Sequence, residues 1–167
     1  MGVRNVLVEG VSGTGKTSVA TELQRRGFHV VHGDRELAHQ ADPVTGEPTG
    51  GPARHEHHVW PVDAVRRIAA DRSRPVTFFC GGSRNWARFL DVFDVVVVLT
   101  VDAATLQRRL AARAGTDEWG ATAEQRERSR RLHATQEDVP AVGVRVDATR
   151  PLAEVVDEVL ALAAAGA

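Results

Sequence analysis

Apolar residues in this chain come in short runs separated by amphipathic stretches, and the two alternate from end to end. Val6-Leu7-Val8 is a brief β-rich run that stops at Gly10. From about Gly15 to Arg26 the apolar positions Val19, Ala20 and Leu23 fall at helical spacing, and Gly27 follows as a helix stop. Phe28-His29-Val30-Val31 predicts a second strand, with Asp34 just past its end. Trp60 to Ala70 predicts a helix with Val62, Val65, Ile68 and Ala69 on one face. Val76 to Cys80 predicts a third strand, closed by Gly81-Gly82. Asp94 to Val101 is almost wholly apolar, as suits a parallel strand buried on both faces. Asp102 is placed to cap a helix that carries Leu106 and Leu110 and ends near Gly115. Val142 to Val146 predicts a fifth strand, and Leu152, Val155, Val156, Val159 and Leu160 mark an amphipathic last helix.

Strands that alternate with helices predict an α/β fold, a parallel sheet with helices on both faces. No internal repeat and no second domain interrupts the order, so one domain is expected over residues 1–167. Two segments depart from the pattern. Residues 42–58 hold Pro43, Gly46, Pro48, Gly50, Gly51 and Pro52, the composition of a loop. Between Thr116 and Asp138, Thr122 and Gln125 have capping-box spacing, but the helix after them is polar nearly all round, with Leu132 almost its only large apolar residue. A helix without an apolar face does not belong in a core, so this one is expected to project over something.

Composition narrows the picture little. Hydrophobic content of 43% and charge of 26% are ordinary for a globular protein of 167 residues. A net charge of −1 exerts no overall pull on nucleic acid or on an anionic membrane, so neither is an expected partner. Cys80 stands alone, which excludes an internal disulfide and fits a reducing cytoplasm, the expected location. Met1-Gly2-Val3-Arg4-Asn5 leads into an apolar run too short for a leader peptide or a membrane span. Monomer and homodimer both remain open.

Charge type is more telling. The chain has one lysine, Lys16, against 20 arginines. That lysine sits in Gly10-Val11-Ser12-Gly13-Thr14-Gly15-Lys16-Thr17, the phosphate-binding pattern G-x-x-x-x-G-K-[ST] between a strand and a helix. Glycines let the backbone curl so that successive N–H groups point at phosphates, and the following helix adds its positive end. Lys16 would reach the β- and γ-phosphates of ATP, and Thr17 would supply a hydroxyl to Mg²⁺. Asp34 lies at the strand end where such sheets bind ligands. It is either the base that aligns an acceptor hydroxyl or a cap for the helix that starts near Arg35. Arg84, after Gly81-Gly82-Ser83, either meets the acceptor or is a surface arginine, and Arg35 and Arg88 are weaker candidates of the same kind. His55-Glu56-His57-His58 does not have H-E-x-x-H spacing, so an exposed polar stretch is the plainer reading than a metal site. Trp60 could line a pocket or fill the core.

On these residues the chain resembles the small P-loop kinases of the shikimate, gluconate, nucleoside and nucleoside-monophosphate (adenylate kinase-like) group. The resemblance rests on Gly10 to Thr17, Gly33-Asp34-Arg35, Gly81-Gly82, Leu106 to Arg113 and Val146 to Pro151. It implies a P-loop NTPase three-layer fold with a five-stranded parallel sheet in the order 2-3-1-4-5. It further implies an acceptor segment at about 34–73 and a helical lid at about 114–138. Of the cations, it sets Arg109 on adenine and Arg113 on the transferring phosphoryl group. Asp147 to Pro151, including Arg150 and Pro151, would border the adenine.

The expected ATP site is therefore Gly10, Ser12, Gly13, Thr14, Gly15, Lys16, Thr17, Ser18, Arg109, Arg113, Arg150 and Pro151, with Thr17 toward Mg²⁺. Lys16, Asp34 and Arg113 are the expected catalytic residues. The expected acceptor residues are Asp34, Arg35, Gly81, Gly82 and Arg84. One or two of Arg126, Arg128, Arg130 and Arg131 could swing onto the triphosphate, and the rest balance Glu124 and Glu127.

The chain departs from the group in two places. Shikimate kinases carry D-x-D after strand two, where this chain has His32 and Asp34. The acidic residue usual at the end of strand three is replaced by Cys80-Gly81-Gly82. The expected activity is transfer of the ATP γ-phosphate to a small-molecule acceptor, with a hydroxyl favoured. A nucleoside-monophosphate kinase and an ATP-binding regulator are the alternatives.

Overall fold

The computed structural model describes residues 3–165, so Met1 and Gly2 of the opening segment lie outside the described residues. In chain order the main elements are β1 (Arg4–Glu9), α1 (Lys16–Arg25), β2 (His29–His32), α2 (Gly33–Glu36), β3 (His39–Gln40), β4 (His58–Val59), α3 (Val62–Ala69) and β5 (Val76–Cys80). They continue with β6 (Val95–Thr100), α4 (Ala103–Ala111), α5 (Ala123–Thr135), β7 (Val144–Asp147) and α6 (Leu152–Ala165).

Five strands form one parallel sheet in the order β2-β5-β1-β6-β7. With the short β3 and β4 set aside, this is the order that the resemblance implies. Alternate side chains of each strand feed opposite layers. On one face Val6, Val8, Phe78 and Leu99 pack with Val19 and Leu23 of α1 and with Val155 and Val159 of α6. On the other, Leu7, Val31 and Phe79 pack with Trp60, Val65 of α3 and Phe89. A fully buried side chain of this kind contributes about 2 kcal/mol. Both layers therefore hold the C-terminal ends of β1, β2 and β5 firmly at one edge. The register Val8↔Cys80 and His32↔Cys80 aligns those ends and brings Gly10, Asp34 and Gly82 together.

Some expectations are corrected. The helix expected from Trp60 starts at Val62, after Pro61, whose ψ of 117° is extended. Trp60 is core: it is 1% exposed and lies parallel to Phe89, with ring centroids 5.8 Å apart. Residues 42–58 are not a bare loop. β3 and β4 pair antiparallel beside them, Ala41 bridges to Pro48, and His55–His57 form a turn of 3₁₀ helix.

The capping expectations hold in geometry. Asp102 accepts from the Thr105 N–H at 2.6 Å, and Thr122 and Gln125 cap each other reciprocally. The polar α5 is not wholly detached. Leu132 drops into a small cluster with Val11, Val98 and Val139, which seats the helix beside the phosphate loop. No helix among the described residues is long and apolar enough to cross a membrane.

Candidate active site

The loop from Gly10 to Gly15 turns back on itself where side chains would obstruct it. Gly13 has φ +94°, and a Cβ there would stand 2.8 Å from Leu106 Cδ1 of α4. Gly15 caps α1 at φ +100°, and no side chain caps that helix. The unpaired N–H groups of its first turn therefore remain available to an anion. The ammonium of Lys16 curls over the loop and donates to the carbonyl of Gly10, and to that of Val11 at 3.2 Å. A triphosphate would offer it stronger, charged acceptors.

Two cavities meet across this loop. One of about 530 Å³ is walled by Lys16 and Thr17 on one side and by Asp34, His58 and Arg84 on the other. Another of about 480 Å³ lies behind the loop, between Arg109, Ala148, Arg150 and Val155. Gly13, Gly15, Ser18 and Arg113 border both.

Arg109 of α4 donates to the carbonyls of Thr14 at 3.2 Å and Ala148 at 2.9 Å, so its guanidinium spans the rear cavity. Arg113 donates to Ser12 Oγ at 3.0 Å and to the Trp119 carbonyl at 2.8 Å, and pairs with Glu118 at 3.1 Å. It thereby connects the phosphate loop to the segment that leads into α5. Arg150 walls the rear cavity and pairs with Glu158. Pro151 does not wall either cavity, and its carbonyl accepts from Glu154 at the start of α6.

Asp34 does not cap a helix, which removes that alternative. It lies inside α2, and Glu36 accepts from the His32 N–H at 2.6 Å instead. Both hydrogen bonds of the Asp34 carboxylate fall on Oδ1: His58 Nε2 at 2.9 Å and the Gly82 N–H at 3.1 Å. Burial alone would raise its pKa. The His58 bond, the Lys16 charge and the Gly82 N–H outweigh burial and hold the carboxyl below the ordinary aspartate range.

Arg84 is not a free surface arginine. It donates to the Asp138 carbonyl at 2.7 Å and pairs with the Asp138 carboxylate at 2.7 Å. His55 Nε2 lies 2.9 Å from the same carboxylate oxygen, and the His55 ring packs on Trp119 with centroids 5.5 Å apart. Burial pushes the Asp138 carboxyl up, and His55 and Arg84 more than reverse it. Arg35 lines the cavity, whereas Gly81 lies just outside it and Arg88 does not reach it. Arg126, Arg128, Arg130 and Arg131 do not wall the cavity either. They engage the Gly120 and Ala121 carbonyls, Glu56, Glu127 and Glu137 respectively.

Four contributors escaped sequence reasoning: Glu9, His55, His58 and Asp138. Glu9 was visible in principle, as an acid at the end of an apolar strand directly before Gly10. His55 and His58 belong to the stretch that the sequence presents as exposed and polar rather than as a metal site, and neither reading places them beside Asp34 or Asp138. Among the described residues, no three His, Cys, Asp or Glu side chains are placed to hold a metal. The donor chemistry beside the phosphate loop is instead hard oxygen, the hydroxyls of Ser12, Thr17 and Ser18, with the Asp34 carboxylate on the same cavity. This fits Mg²⁺, which takes few protein ligands and completes its shell with phosphate oxygens and water.

Comparisons with known proteins bear on the family and the fold. A family model described as an AAA domain matches residues 6–133. No curated protein matches the chain. Among solved structures, a gluconokinase from Sinorhizobium meliloti 1021 is similar at 24% identity and a TM-score of 0.59, over 97% of this chain and 92% of that one. A sugar kinase from Janibacter sp. HTCC2649 is similar at 21% identity and a TM-score of 0.58, over 99% and 98%. A shikimate kinase from Aquifex aeolicus vf5 is similar at 14% identity and a TM-score of 0.51, over 94% of each chain. These likenesses are likenesses of fold.

Proposed function

The chain belongs to the AAA domain family, and on that premise we propose that it is an ATP-dependent phosphotransferase that moves the γ-phosphate to a hydroxyl of a small-molecule acceptor. The observation that carries this reading is the shared front cavity, which sets the ionised Asp34 opposite Lys16 and Thr17. A phosphate acceptor needs cations and no base, whereas a hydroxyl acceptor uses a carboxylate that aligns it and takes its proton.

The rear cavity takes the adenine side of ATP, with Arg109 and Arg150 along it. The phosphate loop takes the triphosphate. Lys16 exchanges its backbone acceptors for the β- and γ-phosphates, and Arg113 approaches the γ-phosphate from the lid side. Thr17 would hold Mg²⁺, which when bound would supply charge neutralisation. The acceptor oxygen bonds to the γ-phosphorus as the bond to the ADP oxygen breaks, and Asp34 takes the hydroxyl proton. Excluding water while these groups converge is the work of Trp119 and the rest of the lid.

The acceptor wall is formed by the polar set Gln40, Arg54, His55, His58 and Arg84, with Trp119 packed on His55 at its lid side. This favours a compact polyhydroxylated acceptor of sugar size, in keeping with the gluconokinase and sugar kinase among the structural neighbours. A nucleoside monophosphate is less suited, because Arg84 already has a carboxylate partner in Asp138. The test is incubation with MgATP and separate pools of sugars and polyols, nucleosides, and nucleoside monophosphates, with products read by mass. A phosphorylated sugar or polyol is expected. Phosphorylation of nucleoside monophosphates alone would replace this reading with a nucleotide kinase, and no product from any pool would favour an ATP-binding regulator.

A further inference from the structure

The carboxylate that this chemistry does not use is the most deeply buried one on the site. Glu9, the last residue of β1, is 1% exposed. One oxygen accepts from the Gly10 N–H at 3.0 Å, where the phosphate loop begins. The other accepts from the Ser83 N–H at 3.3 Å, in the loop after β5. The next residue is Arg84, whose own N–H donates to the His58 carbonyl at 2.8 Å. The preceding residue, Gly82, donates its N–H to Asp34.

β5 lies between β2 and β1 and brings no carboxylate of its own to this edge. Its loop instead presents two consecutive N–H groups to carboxylates on either side of it, Gly82 to Asp34 of α2, just beyond β2, and Ser83 to Glu9 of β1. The fit is close, since a Cβ at Gly82 would stand 3.2 Å from Glu9 Oε1. Burying an acid here carries a desolvation cost that an apolar residue would not incur.

We propose that Glu9 is a positioning residue for phosphoryl transfer, a two-sided clamp that ties the first residue of the phosphate loop to the loop that presents Arg84 to the acceptor. The inference rests on the kinase reading above. The charged groups facing Glu9 are Lys16 from α1, Arg84 from the β5 loop and Asp34 from α2. Burial lifts its carboxyl to about 7, with Lys16 and Arg84 acting against that rise. When phosphates draw Lys16 away, the balance moves further toward the protonated form, so nucleotide binding takes up a proton at Glu9.

The experiment uses the full chain and MgADP. Titration calorimetry near neutral pH in two buffers of different ionisation enthalpy reads net proton uptake, and steady-state kinetics with the phosphorylated acceptor reads KM. Wild type is expected to take up a fraction of a proton that Glu9→Gln does not. Glu9→Gln is also expected to raise the KM for the phosphorylated acceptor about tenfold while the MgADP Kd moves less than about threefold. Proton uptake equal to that of wild type, or an unchanged KM for the phosphorylated acceptor, overturns the proposal. If Glu9→Gln does not fold, carboxyl-carbon NMR of wild type decides. A Glu9 carboxyl that titrates near neutrality and shifts upward with MgADP supports the clamp, and one that titrates as an ordinary glutamate overturns it. Failure of the kinase reading shows separately, as the absence of any acceptor for wild type, and leaves the calorimetric result intact.

Discussion

His58 Nε2 lies 2.9 Å from Asp34 Oδ1, so the carboxylate expected to face the acceptor hydroxyl is held by a histidine from the short β4 strand. With the Gly82 N–H on the same oxygen, Asp34 Oδ2 is left without a protein partner among the described residues. Asp34→Asn keeps the shape and removes the proton acceptor. Turnover is expected to fall by about 10²–10³-fold while MgATP affinity changes only a few-fold. Single-turnover kinetics beside equilibrium nucleotide binding would check this split. A parallel loss of affinity would assign Asp34 to the nucleotide instead.

Arg109 and Arg113 should separate in the same kind of measurement. Arg109 spans the rear cavity through the Thr14 and Ala148 carbonyls, whereas Arg113 sits beside Ser12 at the junction of both cavities. Arg109→Ala is expected to weaken nucleotide binding, by about tenfold, with little effect on kcat at saturation. Arg113→Ala is expected to lower kcat by about 10²-fold or more, because charge on the moving phosphoryl group is greatest in the transition state. Equal effects of the two substitutions on Kd and kcat would contradict the assignment.

How much of this could be read from the chain follows from the range of each signal. The glycine motif, the Asp102 cap and the Thr122–Gln125 capping box are local patterns, and each stands where it was expected. The β–α alternation pointed to a parallel sheet, and its strand order came only from the resemblance to the small P-loop kinases. What stayed hidden depends on contacts between distant segments. His58 reaches Asp34 across a stretch whose β3 and β4 are two residues each, too short for any periodicity to reveal. Asp138 was legible as the end of the lid, but its hold on Arg84 and His55 appears only when three loops converge. Trp60 fits pocket and core equally in sequence, as one aromatic residue before a proline, and only its stacking on Phe89 decides for the core.

Stability should depend on pH in two opposed ways. Unfolded Glu9 titrates near 4.5, and folded Glu9 at about 7. Between these values the folded protein binds more protons than the unfolded chain, so Glu9 makes stability fall as pH rises through that window and adds nothing further above it. The full effect is about 3 kcal/mol. Asp34 and Asp138 have depressed folded values. Their contribution is complete above the unfolded aspartate value and is lost only as pH falls through the lower folded ones. Urea unfolding of wild type and Glu9→Gln across this range should show the neutral-side slope disappear in the variant. An unchanged slope would place the ionisation elsewhere.

Gly33 tests the packing beneath the site. A Cβ there would overlap the ring of Trp60, which fills the space under Gly33 and Gly81. Gly33→Ala is expected to cost about 2 kcal/mol or more by denaturant unfolding and to disturb Asp34, the next residue. Stability within about 0.5 kcal/mol of wild type would show that the indole can move aside freely.

The central claim is acceptor-dependent transfer from ATP, and release of ADP from MgATP, with and without each acceptor pool, tests it most directly. A hydroxyl-bearing pool, foremost the sugars and polyols, is expected to stimulate ADP release in wild type. The stimulation should be lost in both Lys16→Ala and Asp34→Asn, with MgATP binding lost only in the first. Tight MgATP binding that no pool converts into ADP release, or stimulation that survives Asp34→Asn undiminished, would contradict the account.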